Sequence, residues 1–322
     1  MIKTPKFWTK KNVISISLLP LSFIYFLGFF LKDLFTKTHK ISKPVICVGN
    51  LIAGGSGKTP TAIAIGEILH EMGVSFAFLS RGYMADESKF LMLRSEDNNK
   101  AQQVGDEPLL LVETATTFVS KDRLFGAKQI EAMNGYSAIV LDDGMQNNSL
   151  HRDLTIMVVD GKIGFGNDFL IPAGPKREPL FLGLKKVDFI VVIGKASCDL
   201  LSKFQDKKVI QANLIAKNIE VFENKKLLAF CGLAYPEKFF NFLKQKGLDV
   251  IEEKSFADHY NYEASDLKEL CQKAEENKYS LITTKKDWIK FPKNFQDKIS
   301  YLDVSLKLEN KELVKNMLKK IL

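Results

Sequence analysis

From Val45 to Pro60 the chain reads VICVGNLIAGGSGKTP. A short apolar run, a glycine-rich stretch and then Gly57-Lys58-Thr59 follow the order of a buried strand, a phosphate-wrapping loop and a helix start. This order predicts a site for a nucleoside triphosphate, built on a strand that feeds a helix.

The glycines supply the physical reason. Gly54, Gly55 and Gly57 carry no Cβ, so the backbone can take positive φ and turn its N–H groups inward around phosphate oxygens. The expected cradle is Ile52, Ala53, Gly54, Gly55, Ser56, Gly57, Lys58 and Thr59. Lys58 would reach the β- and γ-phosphates as a point charge, the Thr59 hydroxyl would hold Mg²⁺, and Pro60 suits an early helical position. One departure from the full GxxxxGK[ST] pattern is Ile52, where the first glycine would stand. The competing reading is an ordinary glycine-rich turn before a helix. It leaves unexplained why strand, loop and amphipathic helix (Thr61 to Met72) arrive in that sequence.

A cation on a triphosphate needs a second carboxylate. Ser137 to Gly144, SAIVLDDG, reads as a buried strand that ends in two acids. Asp142 or Asp143 would bind Mg²⁺ directly or through water, at the carboxyl end of a parallel strand. Paired aspartates also serve as plain turn formers, so the loop upstream is what gives this pair its meaning.

A chain of 322 residues, 46% hydrophobic and 26% charged, can bury a large core in two domains and is neither disordered nor fibrous. Cys47, Cys198, Cys231 and Cys271 show no CxxC spacing and no histidine cluster, which argues against a zinc site or a disulfide framework and for reduced thiols. The net charge of +8 favours anionic partners. The Lys-rich tract Lys285, Lys286, Lys290 and Lys293 reads as a solvated face, and no nucleic-acid partner is expected.

Val13 to Leu31 holds nineteen residues without a charge, flanked by Lys10, Lys11 and Lys32. As one helix it would span ~28 Å, near the hydrocarbon thickness of a bilayer. It could cross a membrane, lie in one leaflet, be a cleaved signal or pack as a core helix. No small-residue cleavage site follows, Pro20 can kink the helix, and lysines on both sides give no orientation. Membrane association without a committed crossing is the reading adopted.

After this segment strands and helices alternate. The expected strands are Pro44 to Gly49, Val74 to Leu79, Phe118-Val119, Ala138 to Asp142, Leu154 to Val159 and Val187 to Ile193. The expected helices are Thr59 to Met72, Glu107 to Thr114 and Asp122 to Met133. The fold class is thus α/β, P-loop NTPase-like and doubly wound, with a mostly parallel sheet, an N-terminal membrane-associated helix and a smaller C-terminal α/β domain. A polar, Lys-rich stretch near Lys217 to Lys226 sets the divisions at residues 1–43, 44–220 and 221–322.

Six strings in order carry a resemblance: GNLIAGGSGKTP, SRGY (Ser80 to Tyr83), GDEP (Gly105 to Pro108), LDDGMQNNSLHRDL (Leu141 to Leu154), PAGPKREP (Pro172 to Pro179) and ADHY (Ala257 to Tyr260). Together they resemble the tetraacyldisaccharide 4′-kinase family of lipid A biosynthesis, across nearly the whole chain. The resemblance implies transfer of the ATP γ-phosphoryl group to the 4′-hydroxyl of an acylated glucosamine disaccharide 1-phosphate, giving lipid IVA at the cytoplasmic face of the bacterial inner membrane. Met145 and Asn147 depart from the Phe and His common there.

The resemblance also implies roles. Asp106 would be the base for the acceptor hydroxyl, and His259 would orient it and help accept the proton. The two are far apart in sequence, so the C-terminal unit must fold against the core to join them. Without the family, Asp106 and Glu107 read as dipole-favouring carboxylates at a helix start, and His259 as a structural histidine. Arg177 would clamp a phosphate oxygen, with Glu178 holding it or the metal. Arg123 and Tyr83 are weaker candidates for phosphate and acceptor contact. Two other functions are open: a membrane-visiting P-loop ATPase of the partitioning or metal-chaperone type, and a non-catalytic membrane adaptor. The first usually has a second lysine early in the loop, absent from Leu51-Ile52-Ala53. The second is at odds with intact Gly57-Lys58-Thr59 and Asp142-Asp143.

Overall fold

The apolar run after Pro44 is fully buried and forms β1 (Val45–Gly49). It is the middle strand of a nine-stranded sheet in the computed structural model, which describes residues 5–82, 90–97, 101–204 and 206–322. Tyr83, a candidate acceptor contact, lies outside the described residues. The remaining strands of this sheet are β2 (Phe76–Ser80), β3 (Leu91–Leu93), β4 (Thr117–Val119), β5 (Ala138–Asp142), β6 (Leu154–Asp160), β7 (Phe189–Ile193), β8 (Lys208–Ala216) and, after an excursion, β13 (Val304–Leu308). Their spatial order is β13-β8-β7-β6-β1-β5-β2-β4-β3, parallel except where β3 and β13 close the edges. This is the doubly wound α/β sheet expected from the sequence.

Strands buried on both faces need apolar residues at successive positions, because alternate side chains enter opposite layers. In β1, Ile46 and Val48 join the layer that holds Ile65, Phe78 and Val140, while Val45 and Cys47 join the layer with Leu79, Ile139 and Met157. The helix Lys58–Glu71 packs Ile65, Ile68 and Leu69 into the first layer.

Between β8 and β13 the chain builds a second, four-stranded parallel sheet from β9 (Lys226–Cys231), β10 (Asp249–Ser255), β11 (Ser280–Thr284) and β12 (Ser300–Leu302), in the order β10-β9-β11-β12. The chain then returns to the large sheet. β13 pairs antiparallel with β8, and the closing helix Lys311–Lys319 puts Val314 and Leu318 into the large core. Nothing in the apolar pattern of β13 shows which sheet it will join.

The N-terminal apolar run is not one helix. Asn12 caps a short helix, Val13–Ser17, and a second helix, Leu19–Phe35, begins with Pro20 in its first turn. Its inward face meets the protein through polar contacts: Ser22 Oγ donates to Leu170 O at 2.8 Å and Tyr25 Oη to Arg177 O at 3.0 Å. Phe23, Ile24, Leu27, Phe30, Leu31 and Leu34 recur at helical spacing on the opposite side and are exposed. Among the described residues no helix is long and apolar enough to cross a membrane.

Candidate active site

The loop after β1 turns into the helix Lys58–Glu71 at Gly57, whose φ of +88° is left-handed. A side chain there would be strained, and a methyl group would run into Ile193. Within the loop, Asn50 donates to Ser56 Oγ at 2.7 Å, and Ala53 N donates to Pro175 O at 2.8 Å, which ties loop and proline-bracketed turn together. Ile52 is buried and bridges to Lys176, so the missing first glycine is replaced by an apolar anchor.

Asp142 ends β5 beside this loop, because β1 and β5 are neighbours in register, with Val48 opposite Asp142. Thr59 Oγ1 donates to Asp142 Oδ2 at 3.1 Å, while the buried Asp142 Oδ1 has no hydrogen-bond partner. Burial and the negative charge of Glu107 push the Asp142 carboxyl up to about 7, with Lys58 pulling the other way. A hydroxyl and a carboxylate side by side, one oxygen unsatisfied, are the hard oxygen donors that Mg²⁺ takes. Asp143 has different surroundings. Its φ is +56°, and it meets Arg177 Nη1 at 3.0 Å and Lys58 Nζ at 3.8 Å. Burial pushes its carboxyl up, but Lys58 and Arg177 outweigh that and hold it low.

Arg177 therefore braces Asp143, and also donates to Gln146 Oε1 at 3.1 Å. Glu178, fully buried, turns to Lys186 at 3.0 Å and Gln146 at 3.1 Å, a pairing that corrects the expected partnership with Arg177. Arg123 is also buried: Nη1 donates to Ser120 O at 2.8 Å and Nη2 to Asp142 O at 3.2 Å, behind the strand end. Burial lowers its pKa to about 10.

Asp106 opens the helix Asp106–Leu111 after Gly105, another glycine at positive φ (+87°). His259 comes from the small sheet's side, on a turn closed by Tyr260 N to Ala257 O, with its own φ at +54°. A left-handed backbone is uncommon outside glycine, and here it turns the His259 ring toward Asp106. Its Nδ1 lies 2.8 Å from Asp106 Oδ2 and 3.0 Å from Oδ1. Residues 153 positions apart are thus brought together, as the fold of the C-terminal unit against the core requires. Burial alone would raise the Asp106 carboxyl, but the His259 hydrogen bond and Lys286 hold it well below the usual range.

The solvated lysine face is corrected in part. Lys286 reaches His259 Nε2 at 3.2 Å, Lys290 is buried on Asp287 at 2.7 Å, and Lys285 pairs with Glu113 across the two units; only Lys293 of the four is exposed. The inward turn follows from the helix start at Thr284, which the charge pattern alone did not mark.

A cleft of about 540 Å³ separates the two sheets. Gly55 to Thr59 line one side with Glu107, Lys286 lines another, and Ile63, Leu110, Leu233, Phe239 and Leu302 supply apolar wall. Lys238 spans its mouth, 2.7 Å from Asp160 and 3.1 Å from Gly55 O.

The family model described as Tetraacyldisaccharide-1-P 4′-kinase matches residues 14–322. A tetraacyldisaccharide 4′-kinase of Paramagnetospirillum magneticum is 39% identical over 310 residues, covering 95% of this chain and 94% of that protein. One of Rickettsia bellii is 37% identical, covering 96% of each. The crystal structure of LpxK from Aquifex aeolicus in complex with ATP superposes with a TM-score of 0.76 at 28% identity, over 96% of this chain and 99% of that one. The chain belongs to the tetraacyldisaccharide 4′-kinase family.

Proposed function

We propose that this chain transfers the γ-phosphoryl group of ATP to the 4′-hydroxyl of an acylated glucosamine disaccharide 1-phosphate, giving lipid IVA in lipid A biosynthesis. Family membership and the ATP-bound relative support the activity. The observation that carries the mechanism is the 2.8 Å contact between His259 and Asp106 beside the phosphate loop.

In this reading the amides of residues 54–59 and the Lys58 ammonium take the triphosphate, with Arg177 adding charge at the γ-end. Thr59 and Asp142 would hold Mg²⁺, with Asp143 a second candidate, directly or through water. The ion, when bound, neutralises charge that develops on the transferring group. Asp106 accepts the proton of the acceptor hydroxyl, and His259 keeps its carboxylate aimed. Glu178 acts at one remove, by fixing Lys186 and Gln146 around the Arg177 turn. Tyr83 and Arg123 are retained as acceptor-side candidates, Arg123 only through the backbone of Asp142.

The lipid acceptor explains the exposed apolar face of Leu19–Phe35. A helix of this kind lies in one leaflet, and Tyr25 ties its inward side to the carbonyl of Arg177, so a lipid headgroup at the membrane surface meets the phosphate site. We place the protein at the cytoplasmic face of the inner membrane, where ATP is present. Partitioning-type ATPase activity predicts turnover without an acceptor. The deciding experiment incubates the detergent-solubilised protein with ATP, Mg²⁺ and the disaccharide lipid. A product phosphorylated at the 4′ position supports the proposal; ATP hydrolysis indifferent to the lipid overturns it.

A further inference from the structure

Lys286 is called for by neither the phosphate loop nor the paired acids. It belongs to a short helix, Lys285–Trp288, at the edge of the cleft. Thr284 caps that helix by accepting from Asp287 N, and buried Asp287 accepts from Gly232 N at 2.8 Å and Lys290 Nζ at 2.7 Å, so the helix start is pinned to the small sheet. Pinning leaves the Lys286 ammonium 3.2 Å from His259 Nε2, 3.6 Å from Asp106 Oδ2 and 3.7 Å from Asp258 Oδ1.

Hydrogen-bond chemistry favours one arrangement of these groups. An ammonium has protons and no lone pair; a carboxylate has lone pairs and no proton. With Lys286 charged, both contacts are satisfied when His259 Nε2 accepts from Lys286 and Nδ1–H donates to Asp106. Among the described residues, Asp106 from the opposite unit, Asp258 in the same turn at 3.9 Å from Nε2 and Lys286 from the neighbouring helix approach the ring, while Glu107 and Lys290 act on its partners Lys286 and Asp106. Lys286 is a cation in contact with Nε2. Burial would neutralise Lys286, but Asp106, Glu107 and Asp258 outweigh it and raise its pKa, so it stays charged.

We propose that Lys286 is a positioning residue for phosphoryl transfer: it fills Nε2 of His259, holds the imidazole neutral with its proton on Nδ1, and so leaves Asp106 a full carboxylate toward the acceptor. The inference rests on Asp106 as the base. In the step concerned the acceptor O–H bond breaks and its proton goes to Asp106. The freed electron pair forms the new bond to the γ-phosphorus, while the bond to the β,γ-bridging oxygen breaks and its pair leaves with ADP. An imidazolium hydrogen-bonded to Asp106 would weaken the carboxylate as proton acceptor.

Long-range ¹H–¹⁵N spectra of the intact protein read the state of each ring nitrogen, with His259→Gln to assign the signals. Wild type at neutral pH should show Nε2 unprotonated and Nδ1 protonated. Lys286→Met should show both protonated, and Lys286→Arg should keep the wild-type pattern. Lys286→Met should also lose roughly tenfold or more in kcat at neutral pH, with KM for ATP within about twofold, and recover as pH rises and Nε2 gives up its proton. An imidazolium in wild type overturns the proposal even if Lys286→Met fails to fold. So does a Lys286→Met rate loss that is equal at every pH. Failure of the underlying reading is distinct: Asp106→Ala would then retain transfer while the ring spectra stay as described.

Discussion

Asp106 and Asp142 are both buried carboxylates, and their surroundings push them in opposite directions. Asp142 ends a strand with one oxygen unbonded and rises to about 7, whereas Asp106 faces an imidazole and an ammonium and falls. The second is suited to remain ionised until a hydroxyl presents its proton; the first is suited to a cation that replaces the missing partner. Replacing Asp106 with Ala should abolish transfer while ATP binding, measured by calorimetry, stays nearly intact; an equal loss of both would make Asp106 a nucleotide ligand. Because its carboxyl is held below the ordinary range, the pair stabilises the folded state above that range and loses this contribution in acid. The melting-temperature gap between wild type and Asp106→Asn should therefore narrow as pH falls below about 4. A gap that widens in acid contradicts an Asp106 carboxylate held ionised by its contacts. Lys58→Ala removes a preorganised charge from the phosphate loop and should cost roughly 10² or more in kcat. Turnover at the wild-type rate would remove Lys58 from the site.

At the scale of elements, the helix Leu19–Phe35 carries two chemistries on opposite sides. Ser22, Tyr25 and Asp33 face the protein, the last 3.8 Å from Lys186, while Phe23, Ile24, Leu27 and Leu31 face outward. An apolar surface this continuous is costly in water and gains on entering lipid, each large side chain by about 1.5–3 kcal/mol. Changing Phe23 and Leu27 to Ser should lower retention on anionic vesicles by about tenfold or more, with ATP affinity unchanged. Unaltered vesicle binding would show that the face meets something other than lipid. The uncharged run announced this helix in the sequence and Pro20 its kink; the break falls at Leu18, with Pro20 in the first turn of the next helix. The phosphate loop and Asp142 were legible because their contacts lie within a strand and its neighbour. Lys286 and Gln146 were not, since their roles arise only where separate elements meet. Asp106 and His259 became candidates only through the resemblance; their spacing alone says nothing.

At the scale of the whole molecule, the small sheet is an insertion between two neighbouring strands of the large one. The chain leaves at the end of β8 and returns at the start of β13, where Ala216 lies opposite Val304. These two crossings form one hydrogen-bonded neck: Lys217 N donates to Asp303 O at 2.9 Å, and Asn218 bonds Tyr301 O at 3.0 Å and Asp303 N at 2.9 Å. Around the cleft the units touch again through Lys238 on Asp160, Lys285 on Glu113 and His259 on Asp106. If the neck sets how His259 meets Asp106, disturbing it should reach the reaction, since the phosphate loop belongs to the large sheet. Asn218→Ala removes both of its neck bonds, and Asn218 itself does not line the cleft. If Asp106 and His259 act as proposed, a small misplacement of the pair is expensive, so kcat should fall roughly tenfold while KM for ATP holds. The decisive comparison is the double variant with His259→Ala. If Asn218 acts by placing His259, the second substitution adds little once the first is made, and the coupling energy equals most of the smaller single effect. Fully additive losses would mean that the neck serves stability alone, and that the two sheets need no fixed relation for the proton to move.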